Sequence, residues 1–172
     1  LLYSGNDAAT AIAEYVGGSE EAFVNMMNRR AQELMANGTH FMNPHGLHDD
    51  NHYTTAYDLY LIFNECIKHE DFVNIIQSEA YTAYYTDVDG NSQEAMFTPT
   101  NLYAQGEVDV PENVTIVGGK TGTTDEAGYC LILMEKDSSD NPYISIVMGA
   151  SEKPVLYEDM TSLIEAIPSG RQ

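Results

Sequence analysis

Positive charge is scarce in this sequence: 7 Lys and Arg stand against 27 Asp and Glu, a net charge of −20. Such a chain repels phosphate backbones and anionic lipid, which excludes nucleic acid and acidic membrane surfaces as partners. Cysteine is nearly absent. Cys66 and Cys130 are too few for a disulfide framework, and their apolar helical and strand contexts predict buried free thiols. No run approaches the roughly 20 apolar residues of a membrane helix, and no basic stretch followed by an apolar run marks a leader. Internal repeats and composition breaks are lacking too, so the 172 residues read as one domain.

What is present begins with helices. Ala8, Ala9, Ile12, Ala13 and Val16 recur at helical spacing up to Gly17-Gly18, predicting a short helix apolar enough to be buried. Ser19 is placed to cap a second helix, with Glu20 and Glu21 where the helix dipole favours them. Its stripe of Phe23, Met26, Met27, Ala31, Leu34 and Met35 reads as core packing, and Asn37-Gly38 as its end. Residues 39–53 form a polar loop holding His40, His45, His48 and His52. Their spacing fits no standard zinc pattern, which favours a packed, hydrogen-bonded loop over a metal site. Thr55-x-x-Asp58 resembles a capping box opening a third helix through Leu59, Tyr60, Phe63 and Ile67, and Glu70 to Gln77 adds a further helical piece.

The pattern then turns to strands. Tyr81 to Phe97 reads as a hairpin about Asp87-Val88-Asp89-Gly90-Asn91, lying outside the main sheet, and Thr98 to Asn113 as irregular. A strand through Val114, Ile116 and Val117, the strand Tyr129 to Met134 and the strand Tyr143 to Met148 follow with short connections, hence antiparallel. A closing helix carries Leu156, Met160, Leu163, Ile164 and Ile167 on one side. Helices first and a three-stranded meander last describe an α+β fold. We divide it into a helical part at about 1–80, a hairpin and irregular part at about 81–113, and the sheet with its helix at about 114–168.

The centre of the chain is Val117-Gly118-Gly119-Lys120-Thr121-Gly122-Thr123. Lys120 is expected at or near a strand end, with glycines leaving room for another extended chain along that edge. Lys-Thr-Gly in this setting is also the third motif of the penicillin-binding and serine β-lactamase enzymes. Leu1-Leu2-Tyr3-Ser4-Gly5-Asn6-Asp7-Ala8-Ala9 resembles the Ser-x-Asn motif and following helix of the serine-type D-alanyl-D-alanine carboxypeptidases. Gly17 to Phe23 with Asn28, Asn43-Pro44-His45-Gly46-Leu47, His52 with Thr54 to Leu59, and Gly119 to Thr123 with Asp125 to Tyr129 resemble further segments in the same order. The resemblance covers nearly the whole chain, and it gives His45 and His52 places in a pattern that needs no metal.

The resemblance implies the C-terminal portion of a penicillin-binding-protein fold and a peptidoglycan-trimming activity outside the cytoplasm, at the bacterial surface or in the periplasm. Its partners would be a stem peptide ending in D-Ala-D-Ala, β-lactams, and a preceding segment carrying the nucleophile; no cofactor or metal is implied. The family's nucleophile belongs to a Ser-x-x-Lys motif, and no serine here has Lys at the third position after it. The chain is therefore expected to be a fragment of an incomplete catalytic domain, opening abruptly at Leu1 and inactive alone, with an open sheet edge prone to aggregation.

Roles follow by the same resemblance. Ser4 relays a proton, Asn6 donates to the substrate backbone, and Lys120 supplies positive charge that favours the alkoxide. Gly122 lets the peptide lie along the strand, the Thr123 N–H completes an oxyanion hole, and the Thr121 and Thr123 hydroxyls face the terminal carboxylate. Many relatives carry an Arg after the last strand; Ser151 to Tyr157 has none. Two rival readings remain open. A class A β-lactamase would add a deacylating Glu, but Glu70 and Asn74 sit in an amphipathic pattern. A binding relic would hold D-Ala-D-Ala peptides without acylation.

Overall fold

The computed structural model describes residues 1–168. Four helices lead: α1 (Asn6–Gly17), α2 (Glu20–Glu33), α3 (Ala56–Cys66) and α4 (Glu70–Ile76). The hairpin β1 (Tyr81–Thr86) and β2 (Ser92–Phe97) follows as its own two-stranded sheet. A one-turn helix α5 (Leu102–Gln105) precedes the antiparallel sheet β3-β4-β5 (Val114–Thr124, Gly128–Asp137, Pro142–Ala150), and α6 (Lys153–Glu165) closes the fold.

Local chemistry sets most boundaries. Gly18 ends α1 in the left-handed conformation at φ 78°, and the Ser19 hydroxyl accepts from the Ala22 N–H at 3.1 Å to open α2. The β1–β2 and β4–β5 turns use one device. Asp87 Oδ1 accepts from the Asp89 and Asn91 N–H groups, and Asp137 Oδ1 from those of Ser139 and Asn141, all at 2.8–3.0 Å. These bonds hold both carboxyls below their ordinary range, side-chain amides of Gln93 and Asn141 contributing most. Thr55 caps α3 by accepting from the Asp58 N–H at 3.1 Å, but the box is only half formed. The Asp58 carboxylate is buried and instead accepts from the Thr39 hydroxyl at 2.7 Å, tying the histidine loop to α3.

The core lies between the sheet and α6. Leu131 and Leu133 of β4 pack with Leu156, Tyr157, Met160, Ile164 and Ile167, and with Tyr103 from α5. Tyr157 accepts from the Leu102 N–H at 2.9 Å, and the Tyr103 and Thr161 hydroxyls lie 2.7 Å apart, so α5 is pinned to α6. The expected irregular stretch thus contains a helix, organised by tertiary contacts. Leu163, expected inside, is exposed because the buried seam runs through Tyr157.

Strand β4 also runs three residues past Met134, carrying Glu135 into the core. Neither Glu135 carboxyl oxygen has a hydrogen-bond partner among the described residues. Burial pushes its pKa up to about 8; Ser145 lies close enough to moderate this without meeting hydrogen-bond geometry.

The helical half departs further from expectation. Only Ala13 of α1 is buried, while Ile12, Tyr15 and Val16 are exposed, because α1 packs on α2 and its outer face meets nothing in the described chain. The Phe and Met stripe of α2 lines an open apolar groove of about 500 Å3 with Phe41 and Ile62, and only Ala31 of α2 is fully buried. Helix α2 ends at Leu34 with Met35 in the left-handed region, before the expected Asn37-Gly38. Cys66 and Cys130 are free but half-buried.

Candidate active site

Strand β3 runs on to Thr124, because its ladder with β4 continues through the Thr124–Gly128 pair. Lys120 is therefore interior to the strand, opposite Ile132, and not at its end. Alternation of side chains places Lys120 on one face and Thr121 and Thr123 on the other, the face of their partners Leu131 and Tyr129.

The three glycines do different things. A Cβ on Gly118 would lie 2.1 Å from the Ile76 carbonyl oxygen at the end of α4, and one on Gly119 2.1 Å from that of Ile132. Both serve internal close approach. Gly122 alone faces open space. The expected room for an extended chain belongs to Gly122.

Ser4 precedes α1, with Gly5 as the N-cap and Asn6 as the first helical residue. It holds φ at 65°, a left-handed conformation unusual for serine and costing on the order of 1 kcal/mol or more. That geometry turns its hydroxyl to the lysine strand, where Ser4 Oγ accepts from Lys120 Nζ at 2.8 Å. The same ammonium donates to the Thr121 carbonyl. Burial lowers the Lys120 pKa, because removing water disfavours the ammonium form. A lysine held this way gives up its proton more readily than a solvated one.

Ser4, Thr121, Gly122 and Thr123 share a cavity of about 280 Å3. Asn6 is exposed one step beyond Gly5 and is not among the residues lining it. The larger groove on α2 contains none of the sequence-predicted residues.

The cavity also takes residues that sequence reasoning missed. Thr100 brings its Oγ1 to 2.5 Å from Thr121 Oγ1, from the stretch expected to be irregular; no local pattern announces such a long-range pair. Tyr129, Cys130, Leu156 and Tyr157 complete the apolar wall, and Lys153, the first residue of α6, is the cation among the lining residues, which do not include Lys120. Lys153 stands in the Ser151 to Tyr157 stretch that has no arginine, so its charge was visible in the sequence but its position was not.

In the loop, Asn28 pairs with both backbone groups of Phe41, His40 Nδ1 meets the Asn51 carbonyl at 2.7 Å, and His52 Nδ1 accepts from the Met42 N–H. No group of three potential metal ligands occurs among the described residues. His40 and His52 thus bond within the loop, while His45 and His48 lie 3.8 Å from carboxylate oxygens of Glu20 and Glu126 outside it.

Residues 1–152 match the family described as D-alanyl-D-alanine carboxypeptidase, peptidase S11. The D-alanyl-D-alanine carboxypeptidase DacF of Bacillus subtilis is 34% identical over 164 residues, which is 95% of this chain and 39% of that protein. DacC of Escherichia coli is 30% identical over 164 residues, 95% of this chain and 38% of its own length. A mutant of the Streptomyces K15 DD-transpeptidase superposes with a TM-score of 0.86 at 26% identity, covering 96% of this chain and 64% of that one. The chain thus spans well under half the length of these curated relatives. Ser-x-Asn, the loop, Lys-Thr-Gly and the α+β order agree with one assignment, and the chain belongs to the D-alanyl-D-alanine carboxypeptidase family.

Proposed function

We propose that this chain forms one wall of a serine D-alanyl-D-alanine carboxypeptidase that trims peptidoglycan stem peptides outside the cytoplasm. The observation that carries the reading is the 2.8 Å bond from Lys120 Nζ to Ser4 Oγ, which joins residues 116 positions apart beside an open glycine. In the proposed reaction a serine from a Ser-x-x-Lys segment attacks the carbonyl of the penultimate D-Ala. Its proton passes through Ser4 and Lys120 to the departing D-Ala amine, leaving an ester that water then cleaves.

Gly122 lets the peptide lie against β3, and Asn6 donates to its backbone from the start of α1. The Thr123 N–H stabilises the developing oxyanion, a contact whose loss costs on the order of 100-fold in rate. A penicillin forms the same ester with the same serine. This chain has no Ser-x-x-Lys of its own, so acylation requires the segment that carries it.

Intact-mass spectra before and after penicillin test the proposal. The full-length protein is expected to gain one penicillin and to release D-Ala from a D-Ala-D-Ala peptide, while this chain alone keeps its mass. A full-length protein that does neither would sink the reading, and a gain by this chain alone would show that its nucleophile lies within it.

A further inference from the structure

Among the described residues, two polar side-chain contacts join residues 1–80 to the sheet and its helix. One is the bond from Lys120 to Ser4, and the other brings His48 Nδ1 to 3.8 Å from Glu126 Oε2. Glu126 lies in the β3–β4 turn, just past the end of β3. Gly122 and Thr123 therefore stand between the two contacts, on the edge against which the peptide is placed above.

Both ends of the second contact are held. Asn43 accepts from the Gly46 N–H at 2.7 Å and donates to the Leu47 carbonyl at 2.8 Å, which fixes the chain immediately before His48. Across the gap, Thr124 Oγ1 accepts from the Ala127 N–H at 3.0 Å. A Cβ on Gly128 would lie 2.6 Å from the Ala150 carbonyl oxygen, so the turn is also seated closely on β5.

His48 meets a carboxylate at each ring nitrogen, since Nε2 also lies 3.3 Å from Asp50 Oδ1. A neutral imidazole carries one N–H and can serve only one of the two, whereas the imidazolium carries two and serves both. No Lys or Arg occurs between Arg30 and Lys68, so no other strong cation of the loop can take the place of the ring. The remaining charges about it are Asp49 on the loop, Asp125 beside Glu126 in the turn, and Glu20 of α2, which faces His45 at 3.8 Å. His40 and His52 each spend a ring nitrogen on the loop backbone, and burial holds His52 below its ordinary pKa.

We propose that His48 is a positioning residue, a proton-dependent clasp from the histidine loop to the β3–β4 turn that steadies Gly122 and Thr123 against a bound peptide. The proposal rests on the peptidase reading above and adds to it a pH-sensitive hold on the edge of that site. With His48 protonated, both ring N–H groups find carboxylates and the loop is tied to the turn. As pH rises and the ring loses a proton, one N–H remains and the tie between loop and turn weakens. His48 acts through the end of β3 and takes no part in the proposed proton transfer.

The test uses the full-length protein and the rate of penicillin acylation from about pH 5.5 to about pH 8.5, the range over which imidazoles change charge. An exposed ion pair is worth up to about 5-fold. The wild type should therefore acylate about 2- to 5-fold faster than His48→Gln at the acid end, and the two should converge at the alkaline end. His48→Lys, charged throughout, should keep the advantage over His48→Gln at the alkaline end. His48 and Glu126 are exposed, so the substitutions leave packing intact. Taking the ratio of two enzymes at each pH cancels the titration of Lys120 and of the nucleophile. A ratio of wild type to His48→Gln that stays constant with pH would overturn the proposal. Should penicillin acylate the wild type at no pH, the peptidase reading fails by itself, and NMR titration of the His48 imidazole decides the clasp. An apparent pKa lower by about 0.3 to 0.7 in Glu126→Gln than in the wild type supports it, and an equal value overturns it.

Discussion

Helices α1 and α6 present apolar residues at the same spacing and meet opposite fates. In α6, Met160 and Ile164 are 0% exposed against the inner face of β4, where Leu133 is also 0% exposed. In α1, Ile12 is 59% and Tyr15 91% exposed, with α2 its principal neighbour. Periodicity marks a face that can be buried, and only a partner surface buries it. The difference runs through the site as well. Lys120, Thr121 and Thr123 stand on the well-packed sheet, whereas Ser4 and Asn6 stand just before and at the start of the lightly packed helix α1. The bond from Lys120 to Ser4 joins the two halves.

The largest expected effect breaks the packed half. Leu133→Ala should cost about 3–5 kcal/mol in urea unfolding, because a fully buried leucine leaves a cavity between the sheet and α6. Next comes Glu135 in that same core. Its carboxyl has an ordinary value of 4.5 and is raised to about 8 in the fold. Between these values the unfolded chain releases a proton that the folded chain keeps, so stability falls as pH rises through that window and levels off above it. Each unit of difference is worth about 1.4 kcal/mol, so the total is of order a few kcal/mol. Glu135→Gln should flatten the profile of unfolding free energy from pH 5 to 8, and an unchanged slope would remove Glu135 as its cause.

Ser19→Ala, which deletes the cap joining α1 to α2, should cost about 1 kcal/mol. Ile12→Ala in the exposed face of α1 should fall within about 0.5 kcal/mol in this chain. A loss as large as that of Leu133→Ala would mean that α1 is packed much as α6 is, and the comparison would fail.

Legibility in the sequence follows the same division. The Ser19 cap, the Asp87 and Asp137 turns, the three-stranded meander and the Lys-Thr-Gly strand were readable because each rests on residues close in sequence. The burial of Glu135 was not, since Glu135-Lys136-Asp137 looks like a polar strand end; only the sheet register draws it inward. Helix α5 was missed because Tyr103 and Leu102 are fixed by Tyr157 and Thr161 more than 50 residues away. The separate uses of Gly118, Gly119 and Gly122 depend on α4 and β4, which no reading of the motif alone supplies. Thr100 and Lys153 reach the cavity in the same way, through tertiary placement.

The central claim is that Lys120 and Ser4 work as one unit across the two halves. A double-mutant cycle in the full-length protein measures this directly, using the rate of penicillin acylation for Ser4→Ala, Lys120→Met and the double variant. Either single substitution is expected to slow acylation by about 100-fold or more. If the two act as a unit, the double variant is no slower than the slower single variant. Losses that multiply in the double variant would show two independent residues and contradict the account.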